Sequence, residues 1–435
     1  MTQPTILLLG TCDTKWSELL YLHTQLTTLS KKTSNPISIL LMDVGRTPTP
    51  TTQNLITIPQ TQDYTTLPRN TYIQRITTHF TPTIQTLAQQ KKIHAILSIG
   101  GSCGTSIATT LMRDALPIGF PKLMVSTMAS GDVSPYVQET DITMMYSVVD
   151  VAGANSILKR VLRNAAAAGW GMVNSYYDCC LEGVSSSEVK KKIGITMFGV
   201  TTPSVTMIRE YLENHYKGQT KGEEEEDEEE GGEEGGGGCE VYIFHATGAG
   251  GKAMERLIRE NQLDAVVDLT TSEIVDEIVG GVLTAGPSRL SAAAEKGIPQ
   301  VVSLGACDMV NFGTPQTVPE RFAGRRIYEH NPTVTIVRTD EEESRRVASF
   351  IAGKLKEAVR PDKVVVLVPQ GGLSMMDVPG QQFHDPVADE ALFETLEKEL
   401  QGTGVTVTRH PRHVNHPEFA QAVGTALVHL LDGPN

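Results

Sequence analysis

A short glycine-rich turn contains the residue types that bind phosphate groups. Gly100, Gly101 and Gly104 follow an apolar run and would let the backbone approach a ligand closely. Ser102 adds a hydroxyl group within the turn, and Thr105 adds another where a helical pattern begins that extends to Asp114. The first N–H groups of a helix lack partners within the helix, and the helix dipole also favours an anion there, by about 0.3–1 kcal/mol. The turn therefore predicts a phosphate site.

The same turn allows two other interpretations. The segment from Gly100 to Gly104 also fits the G-x-S-x-G pattern of serine hydrolases, with Ser102 as the nucleophile. Asp385 and His413 would complete a triad in the order serine, aspartate, histidine. Alternatively, the glycines only let a helix pack closely against its strand. The residue types leave all three interpretations open.

A second turn of this kind lies near the start of the chain. Gly10 ends an apolar run, and Thr11 can donate to a phosphate or cap the following helix. Asp13 can hold a metal ion or a ribose hydroxyl, and Lys15 can pair with a phosphate charge. Two such turns in one sheet favour a nucleotide over a small anion. A third wall of the same site is predicted from Ser130, Gly131 and Asp132.

The second half of the chain contains a pattern typical of dinucleotide sites. Gly248 begins a G-x-G-x-x-G/A match that ends at Ala253, and Asp268 follows as the acidic partner. This match allows an NAD(P) site. It is not a Walker A loop, because Ala253 stands where that motif has serine or threonine. Lys252, within the match, is a candidate catalytic residue.

Histidines and aspartates near the C-terminus offer further candidates. Asp385 is expected to be the N-cap of a helix that starts near Pro386, and His384 beside it could act as an acid or base. A set of three histidines spaced three apart could share one helix face as metal ligands, but the prolines among them argue against a helix, so we predict no metal site. These histidines are His410, His413 and His416.

These turns require strands and helices that alternate along the chain. Apolar strand patterns alternate with helical patterns in the first half, which predicts a parallel sheet. The second half repeats this order, since the strand and turn at Lys192–Gly199 resemble those at Thr5–Gly10. We therefore predict an α/β fold with two Rossmann-like parallel-sheet domains that face each other across a cleft. The predicted domains span residues 1–185 and 190–435.

Composition and charge restrict the class of protein. The net charge is −14, and ten acidic residues of an insertion at 218–238 supply most of it, which leaves about −4 elsewhere. We expect that insertion to be a disordered loop. No basic patch points to a nucleic-acid partner, and no apolar run is long enough for a membrane span. The six cysteines show no C-x-x-C pair, which predicts free thiols and a cytoplasmic protein.

Several long blocks resemble a family of uncharacterised proteins whose ATP-binding domain is like that of a plant tobamovirus-resistance protein. The blocks include GTCDTKWSELLYL at Gly10, GGSCGTS at Gly100, FHATGAGGKAME at Phe244, DLTTSEIVDEIVGGVLTAGPSRL at Asp268 and PGQQFHDP at Pro379. The resemblance implies a two-domain α/β protein that self-associates and binds ATP in its N-terminal domain. It assigns the ATP site to Gly10, Thr11, Asp13, Lys15, the turn from Gly100 to Thr105, and Ser130 to Asp132.

The motifs and the resemblance together predict a cytoplasmic homo-oligomer that binds ATP with Mg²⁺. We expect it to be an enzyme that also holds a small anionic or carbonyl substrate in the cleft between its domains. The catalytic candidates are Asp13, Lys252, His384 and Asp385. One alternative is an interaction protein with ATP as a structural or regulatory ligand. The other is a serine hydrolase that uses the turn around Ser102.

Overall fold

The computed structural model describes residues 3–33, 35–47, 55–57, 64–182, 190–217 and 238–433. The predicted acidic loop at 218–238 lies outside the described residues except for Gly238. Contacts between residues divide the chain into two compact units, Met1–Ser186 and Ser187–Asn435. Among the described helices, none is both long and apolar enough to cross a membrane.

The first unit alternates strands and helices. Its strands are β1 (Thr5–Gly10), β2 (Ser38–Asp43), β3 (Leu55–Ile56), β4 (Ala95–Gly100), β5 (Lys122–Ser126) and β6 (Thr143–Tyr146). Its helices are α1 (Cys12–Lys32), α2 (Arg69–Gln89), α3 (Ser102–Ala115), α4 (Ser134–Val137) and α5 (Ser156–Glu182).

The strands of the first unit form one parallel sheet in the order β3-β2-β1-β4-β5-β6. This is the strand order of the Rossmann fold, with its topological switch point between β1 and β4. Helices cover both faces, so alternate residues of each strand enter different cores. Leu7 packs in one core with residues of α2 and α3, whereas Leu8 packs in the other with residues of α1 and α5.

The second unit has a larger set of elements. Its strands are β7 (Lys191–Met197), β8 (Cys239–His245), β9 (Ala265–Thr270), β10 (Gln300–Gly305), β11 (Met309–Phe312), β12 (Ile327–Asn331), β13 (Val334–Arg338), β14 (Val364–Pro369) and β15 (Thr406–His410). Its helices are α6 (Thr202–Lys217), α7 (Ala249–Arg259), α8 (Ser272–Val279), α9 (Ser291–Lys296), α10 (Glu341–Lys356), α11 (Pro386–Leu400) and α12 (Pro417–Asp432).

Six of these strands form a second parallel sheet in the order β15-β14-β10-β9-β7-β8. The order reverses between β7 and β9, as it does at the switch point of flavodoxin-like sheets. The other three strands form an antiparallel sheet in the order β11-β13-β12. The prediction of two Rossmann-like parallel-sheet domains is confirmed. The antiparallel sheet was not predicted, because its short strands follow β10 without a helical pattern between them.

The position at which α3 begins determines which backbone groups follow β4. The sequence pattern places the start of α3 at Thr105, but the helix begins at Ser102. Gly101 is the N-cap residue, so half of the predicted loop is the first turn of the helix. The backbone N–H groups of that turn therefore lie directly beyond the end of β4.

Candidate functional site

A cavity of about 600 Å³ lies beyond the carboxyl ends of the strands in the first unit. It includes the loops that follow β1 and β4, which flank the switch point of the sheet. Parallel α/β sheets bind their ligands at this position. The lining residues are Thr11, Asp13, Thr14, Lys15, Arg46, Tyr72, Gly101, Ser102, Cys103, Gly104, Thr127, Met128, Tyr146, Val148, Val149 and Asp150.

The turn between β4 and α3 is held by close packing and by hydroxyl groups. A Cβ atom on Gly100 would lie 3.0 Å from the Cα atom of Gly104, so this position needs glycine for the helix to pack against the strand. The hydroxyl of Thr105 lies 2.9 Å from the carbonyl oxygen of Gly101 and 2.6 Å from the hydroxyl of Ser126. These contacts fix the start of α3 relative to β4 and β5.

The first turn of α3 is open toward the cavity. Gly101 provides no side-chain cap, and a Cβ atom added there would meet only the hydroxyl of Thr127, at 3.9 Å. The hydroxyl of Ser102 accepts a hydrogen bond from Nη2 of Arg69 at 2.6 Å. The turn thus combines uncapped N–H groups, a hydroxyl and a nearby guanidinium, which are the groups that hold an anion.

The turn after β1 is tied to the loop after β2 by two aspartates. Oδ1 of Asp43 accepts hydrogen bonds from the backbone N–H groups of Cys12, at 3.0 Å, and Gly45, at 2.8 Å. Oδ2 of Asp13 accepts from the backbone N–H of Arg46 at 2.8 Å. Burial, followed by the Asp43 carboxylate, raises the pKa of the Cys12 thiol far above its usual value. Cys12 is therefore a neutral, buried thiol, and the predicted candidate Asp13 holds a loop in place.

Arg46 and Tyr72 form a wall that the sequence patterns did not predict. The guanidinium of Arg46 lies 4.2 Å from the centre of the Tyr72 ring, and its Nη1 donates to the carbonyl oxygens of Tyr64 and Leu67. The hydroxyl of Tyr72 donates to the carbonyl oxygen of Val44, and burial raises its pKa above the usual range. The available signal was the position of Arg46 three residues after β2, at the same edge as the glycine turns.

The opposite wall lies at the end of β6 and in the loop after it, and the sequence patterns did not predict it either. It consists of Tyr146, Val148, Val149 and Asp150. Val148 has a φ of +66°, which is unusual for a β-branched residue. A short strand with a mixed polar pattern gives little signal in the sequence, so neither β6 nor the loop after it was predicted.

The structure brings most of the predicted nucleotide-site residues together. Thr11, Asp13, Lys15, Gly101, Ser102 and Gly104 line the cavity. Gly10 and Gly100 end the two central strands, and the hydroxyl of buried Thr105 donates to the carbonyl oxygen of Gly101 within the turn. The predicted third wall differs, since Ser130, Gly131 and Asp132 are absent from the lining, and Thr127 and Met128 take that position. Asp132 instead accepts hydrogen bonds from the N–H and hydroxyl of Ser134, which lower its pKa.

The surroundings of Ser102 do not resemble those of a hydrolase nucleophile. Its hydroxyl accepts from a guanidinium, whereas an activated serine donates to an imidazole. Among the described residues that line the cavity there is no histidine. This geometry favours the anion-binding interpretation of the turn.

The glycine turn in the second unit is already filled by a carboxylate. Oε1 of Glu273 accepts hydrogen bonds from the backbone N–H groups of Gly248, at 2.7 Å, and Gly251, at 3.0 Å. These are the N–H groups that a pyrophosphate would use in a dinucleotide site. Asp268, the expected ribose partner, is buried and lies 2.6 Å from Nη1 of Arg289. The G-x-G-x-x-A match is thus part of a structural core, with Lys252 on the partly exposed side of α7.

Arg289 is the centre of that core. Its guanidinium is fully buried and lies within 3.2 Å of carboxylate oxygens of Glu255, Asp268 and Glu273. Burial alone would lower the pKa of Arg289, but the three carboxylates raise it above its usual value. The oxygens of Glu255 also accept backbone hydrogen bonds from Leu290 and Ala292. The network joins the starts of α7, α8 and α9.

His384 and Asp385 lie beside a second buried charge cluster. Asp385 is the N-cap of α11 and accepts from the N–H of Ala388 at 3.2 Å, which confirms its predicted capping role. Nδ1 of His384 lies 3.3 Å from the carbonyl oxygen of Asp377. Arg338 lies 3.4 Å from Asp377 and 2.5 Å from Asp389. This cluster holds the loop after β14.

Two of the three C-terminal histidines accept hydrogen bonds from the backbone through their rings. Nδ1 of His410 accepts from the N–H of Arg412 at 3.3 Å, and Nδ1 of His416 accepts from the N–H of Glu418 at 3.2 Å at the start of α12. The rings of His413 and His416 meet edge to face at 5.6 Å. Within the described part of the chain, no group of three or more His, Cys, Asp and Glu residues could hold a metal ion.

Comparisons with known proteins match both units. The sequence model of the N-terminal domain of an uncharacterised protein family, UPF0261, matches residues 4–178, and that of its C-terminal domain matches residues 231–431. A UPF0261 protein of Clostridium tetani is 44% identical over 80% of this chain and 79% of its own length. The ToMV resistance protein Tm-1(GCR237) of Solanum lycopersicum is 35% identical over 98% of this chain, and the match spans 56% of the tomato protein.

Solved structures add little to these matches. A putative UDP-N-acetylglucosamine 2-epimerase from Listeria monocytogenes is 8% identical, and the match covers 69% of this chain and 79% of that protein. Its TM-score is 0.21, which supports no argument about function.

Proposed function

The chain belongs to the uncharacterised protein family UPF0261, and from its site we propose that the first unit binds ATP together with Mg²⁺. One observation carries the proposal. The uncapped first turn of α3 opens, at the switch point of a Rossmann sheet, into a cavity of about 600 Å³. This volume is in the range of small-molecule sites, about 300–1,000 Å³, and exceeds what a single phosphate needs.

The groups at this turn suit a chain of phosphates. The backbone at Gly101 leaves room for a phosphate oxygen, because a Cβ atom there would have almost no neighbours. Ser102 and Thr11 add hydroxyl groups, and Lys15 adds a positive charge on the same cavity wall. Several hydrogen bonds from N–H groups, a helix dipole and a cation together support binding of a polyanion.

Two carboxylates on the cavity wall fit a magnesium ion that accompanies the phosphates. Mg²⁺ is usually bound by one or two carboxylates, water and phosphate oxygens. Asp13 and Asp150 line the cavity, and Oδ2 of Asp13 is used by the N–H groups of Arg46 and Thr47. Either carboxylate, Asp13 through its other oxygen or Asp150, would hold the ion together with water and phosphate oxygens, and the ion would offset the charge of the phosphates.

A second candidate function is an interaction protein with ATP as a structural or regulatory ligand. The role of Asp13 favours it, since one oxygen of this catalytic candidate is occupied by backbone hydrogen bonds from Arg46 and Thr47 that hold a loop in place. ATP turnover that depends on Asp13 would favour an enzyme instead. ATP binding without turnover, across a panel of anionic and carbonyl metabolites, would favour the interaction protein.

The proposal includes a reducing compartment, the cytoplasm, and a homo-oligomeric state. All six cysteines are free, which supports a reducing compartment. Self-association comes from the resemblance to the family and would be measured by light scattering of the purified chain.

Thermal denaturation with a ligand panel tests the proposal. A ligand that binds only the folded chain at 100 times its Kd stabilises the chain by about 2.7 kcal/mol, a shift of several °C. ATP with Mg²⁺ should raise the Tm of the first unit, and NAD⁺ at the same concentration should not. The proposal would be overturned if NAD⁺ alone raised the Tm, or if no nucleotide raised it.

A further inference from the structure

One end of the cavity is apolar and exposed, in contrast to the polar end at α3. Tyr146, Val148 and Val149, the base wall, line this end. We infer that the base wall binds the planar purine base of the nucleotide, an inference that rests on the proposed function. On this inference the ligand is a nucleotide, with its phosphates bound at α3 and its base bound at the base wall, and not a free polyphosphate.

The exposure of the base wall is the first observation. The side chains of Tyr146 and Val148 are 42% and 54% exposed, although most large apolar residues of this unit are buried. Two exposed apolar residues on one side of a single cavity form a patch that water solvates poorly. A flat aromatic ligand would cover that patch.

The backbone at Val148 is the second observation. The N–H of Val149 donates to the carbonyl oxygen of Ser147 at 2.8 Å, which closes a γ-turn around Val148 with its φ of +66°. Ser147 is buried, and its hydroxyl donates to the carbonyl oxygen of Val149 at 2.7 Å. Such strained positions persist where their surroundings fix them, and they concentrate at ligand sites. The turn therefore holds the Val148 side chain in place at the cavity.

The sheet register gives the distance between the two ends of the cavity. Gly100 pairs with Ser126, and Ser126 pairs with Tyr146, so the three residues form one row across β4, β5 and β6. Two strand spacings place Tyr146 about 10 Å from the end of β4. A phosphate at the start of α3 and a base at Tyr146 are thus separated by a length that a ribose and its phosphates can span.

The other aromatic residue of the cavity does not compete for the base. Tyr72 is 1% exposed, and the Arg46 guanidinium lies over its ring at 4.2 Å. Its hydroxyl is used by the carbonyl oxygen of Val44. Of the two lining tyrosines, Tyr146 is the one with an exposed ring.

Calorimetric titrations with ATP and with inorganic tripolyphosphate, which has no base, test the inference. Tyr146→Ala and Val148→Gly should each weaken ATP binding on the order of tenfold and leave tripolyphosphate binding within about twofold. Glycine adopts positive φ without strain, so Val148→Gly keeps the fold. Tyr146→Phe retains the ring and should bind ATP like the parent. Leu20→Ala, at a 49% exposed leucine outside the cavity lining, is the matched control.

The outcomes separate the inference from the proposed function. If neither ATP nor tripolyphosphate binds the parent, the phosphate site is wrong and both proposals fail. If both ligands bind the parent, and the two variants weaken both equally or neither, the base wall is overturned while phosphate binding stands. Selective loss of ATP affinity in both variants supports the base wall.

Discussion

Oε1 of Glu273 accepts a hydrogen bond from the backbone N–H of Gly251 at 3.0 Å, and a Cβ atom on Gly251 would lie 2.0 Å from Oε2 of the same residue. The glycine turn of the second unit therefore encloses a carboxylate from its own chain. The turn at Gly101 in the first unit has no side-chain cap and opens into a cavity. Two similar glycine patterns thus have different surroundings, since one encloses a carboxylate and the other opens into a cavity.

Removal of the Glu273 carboxylate should destabilise the second unit strongly. Glu273→Ala leaves the buried Arg289 guanidinium without one of its partners and leaves two backbone N–H groups unsatisfied. Loss of one partner of a buried charge network costs about 3–5 kcal/mol. Urea denaturation of the full chain would measure the loss.

An exposed carboxylate provides the matched control. Glu295 lies 3.8 Å from Arg259 and is 58% exposed, so Glu295→Ala should change the unfolding free energy by less than about 1 kcal/mol. Equal losses in the two variants would contradict the structural role of Glu273. Binding of NAD⁺ by Glu273→Ala would show that the turn is a blocked nucleotide site.

Ser102 should not react with a fluorophosphonate probe. Its hydroxyl accepts from Arg69 at 2.6 Å, and the described residues that line its cavity include no histidine to act as the base. Mass spectrometry of the treated chain would locate any label, with an active serine hydrolase in the same tube as the positive control. Labelling of Ser102 that disappears in Ser102→Ala would establish the hydrolase interpretation.

Asp13→Ala should loosen the loop after β2. The carboxylate accepts from the N–H groups of Arg46, at 2.8 Å, and Thr47, at 3.3 Å, and alanine cannot replace these bonds. Loss of about 1 kcal/mol per bond predicts amide hydrogen exchange faster by about five- to tenfold at these two residues. Asp13→Asn keeps an acceptor oxygen and should exchange almost like the parent. Unchanged exchange in Asp13→Ala would rule out the positioning role of Asp13.

The stability of the second unit should depend on pH through Asp308. Burial, followed by the charge of Asp377, raises the pKa of Asp308 to about 7 in the folded chain. The unfolded chain has a pKa of about 3.9 at this residue, so unfolding releases a proton between about pH 4 and pH 7. The contribution of Asp308 to stability is therefore complete below about pH 4 and is lost as the pH rises through about 7.

Asp308→Asn removes the contribution of Asp308 to this pH dependence, while the contribution of Asp377, whose pKa is also raised to about 7 by burial, remains. Relative to the parent, the variant should gain about 1 kcal/mol or more in unfolding free energy between about pH 5 and pH 7. Denaturant titrations at several pH values would measure the difference. Asp362→Asn, at an exposed ion pair with Arg360, should follow the parent over this range. Parallel pH profiles for the parent and Asp308→Asn would contradict the raised pKa.

The fold class and the centre of the site could be predicted from sequence because both depend on local patterns. Apolar strands followed by glycine turns and helices specify parallel sheets, and the residues after β1 and β4 meet at the switch point. Gly101 and Ser102 could be placed at the cavity for this reason. Arg46, which follows β2, and Tyr146, the last residue of β6, could not, because the positions of these strands in the sheet are set by long-range pairing.

The role of each glycine turn was beyond sequence reasoning for a related reason. Gly101 and Gly251 have similar local patterns, and the difference arises from Glu273, which lies 22 residues after Gly251. Likewise, the strained φ at Val148 results from the hydrogen bonds of Ser147, and no residue type in that segment signals it. Hydrogen bonds of this kind depend on the folded chain, and residue types along the sequence do not indicate them.

The most direct test of the nucleotide site is isothermal titration of ATP, with Mg²⁺, into the parent chain and into Gly101→Val. The backbone at Gly101 has φ −82° and ψ −165°, which valine adopts without strain, and its Cβ atom would have almost no protein neighbours. The variant should therefore fold like the parent, and its side chain should fill the space at the start of α3. We predict that ATP binds the parent and that affinity falls at least about a hundredfold in the correctly folded variant. Equal ATP binding by both chains, or no binding by the parent, would contradict a phosphate site at this turn.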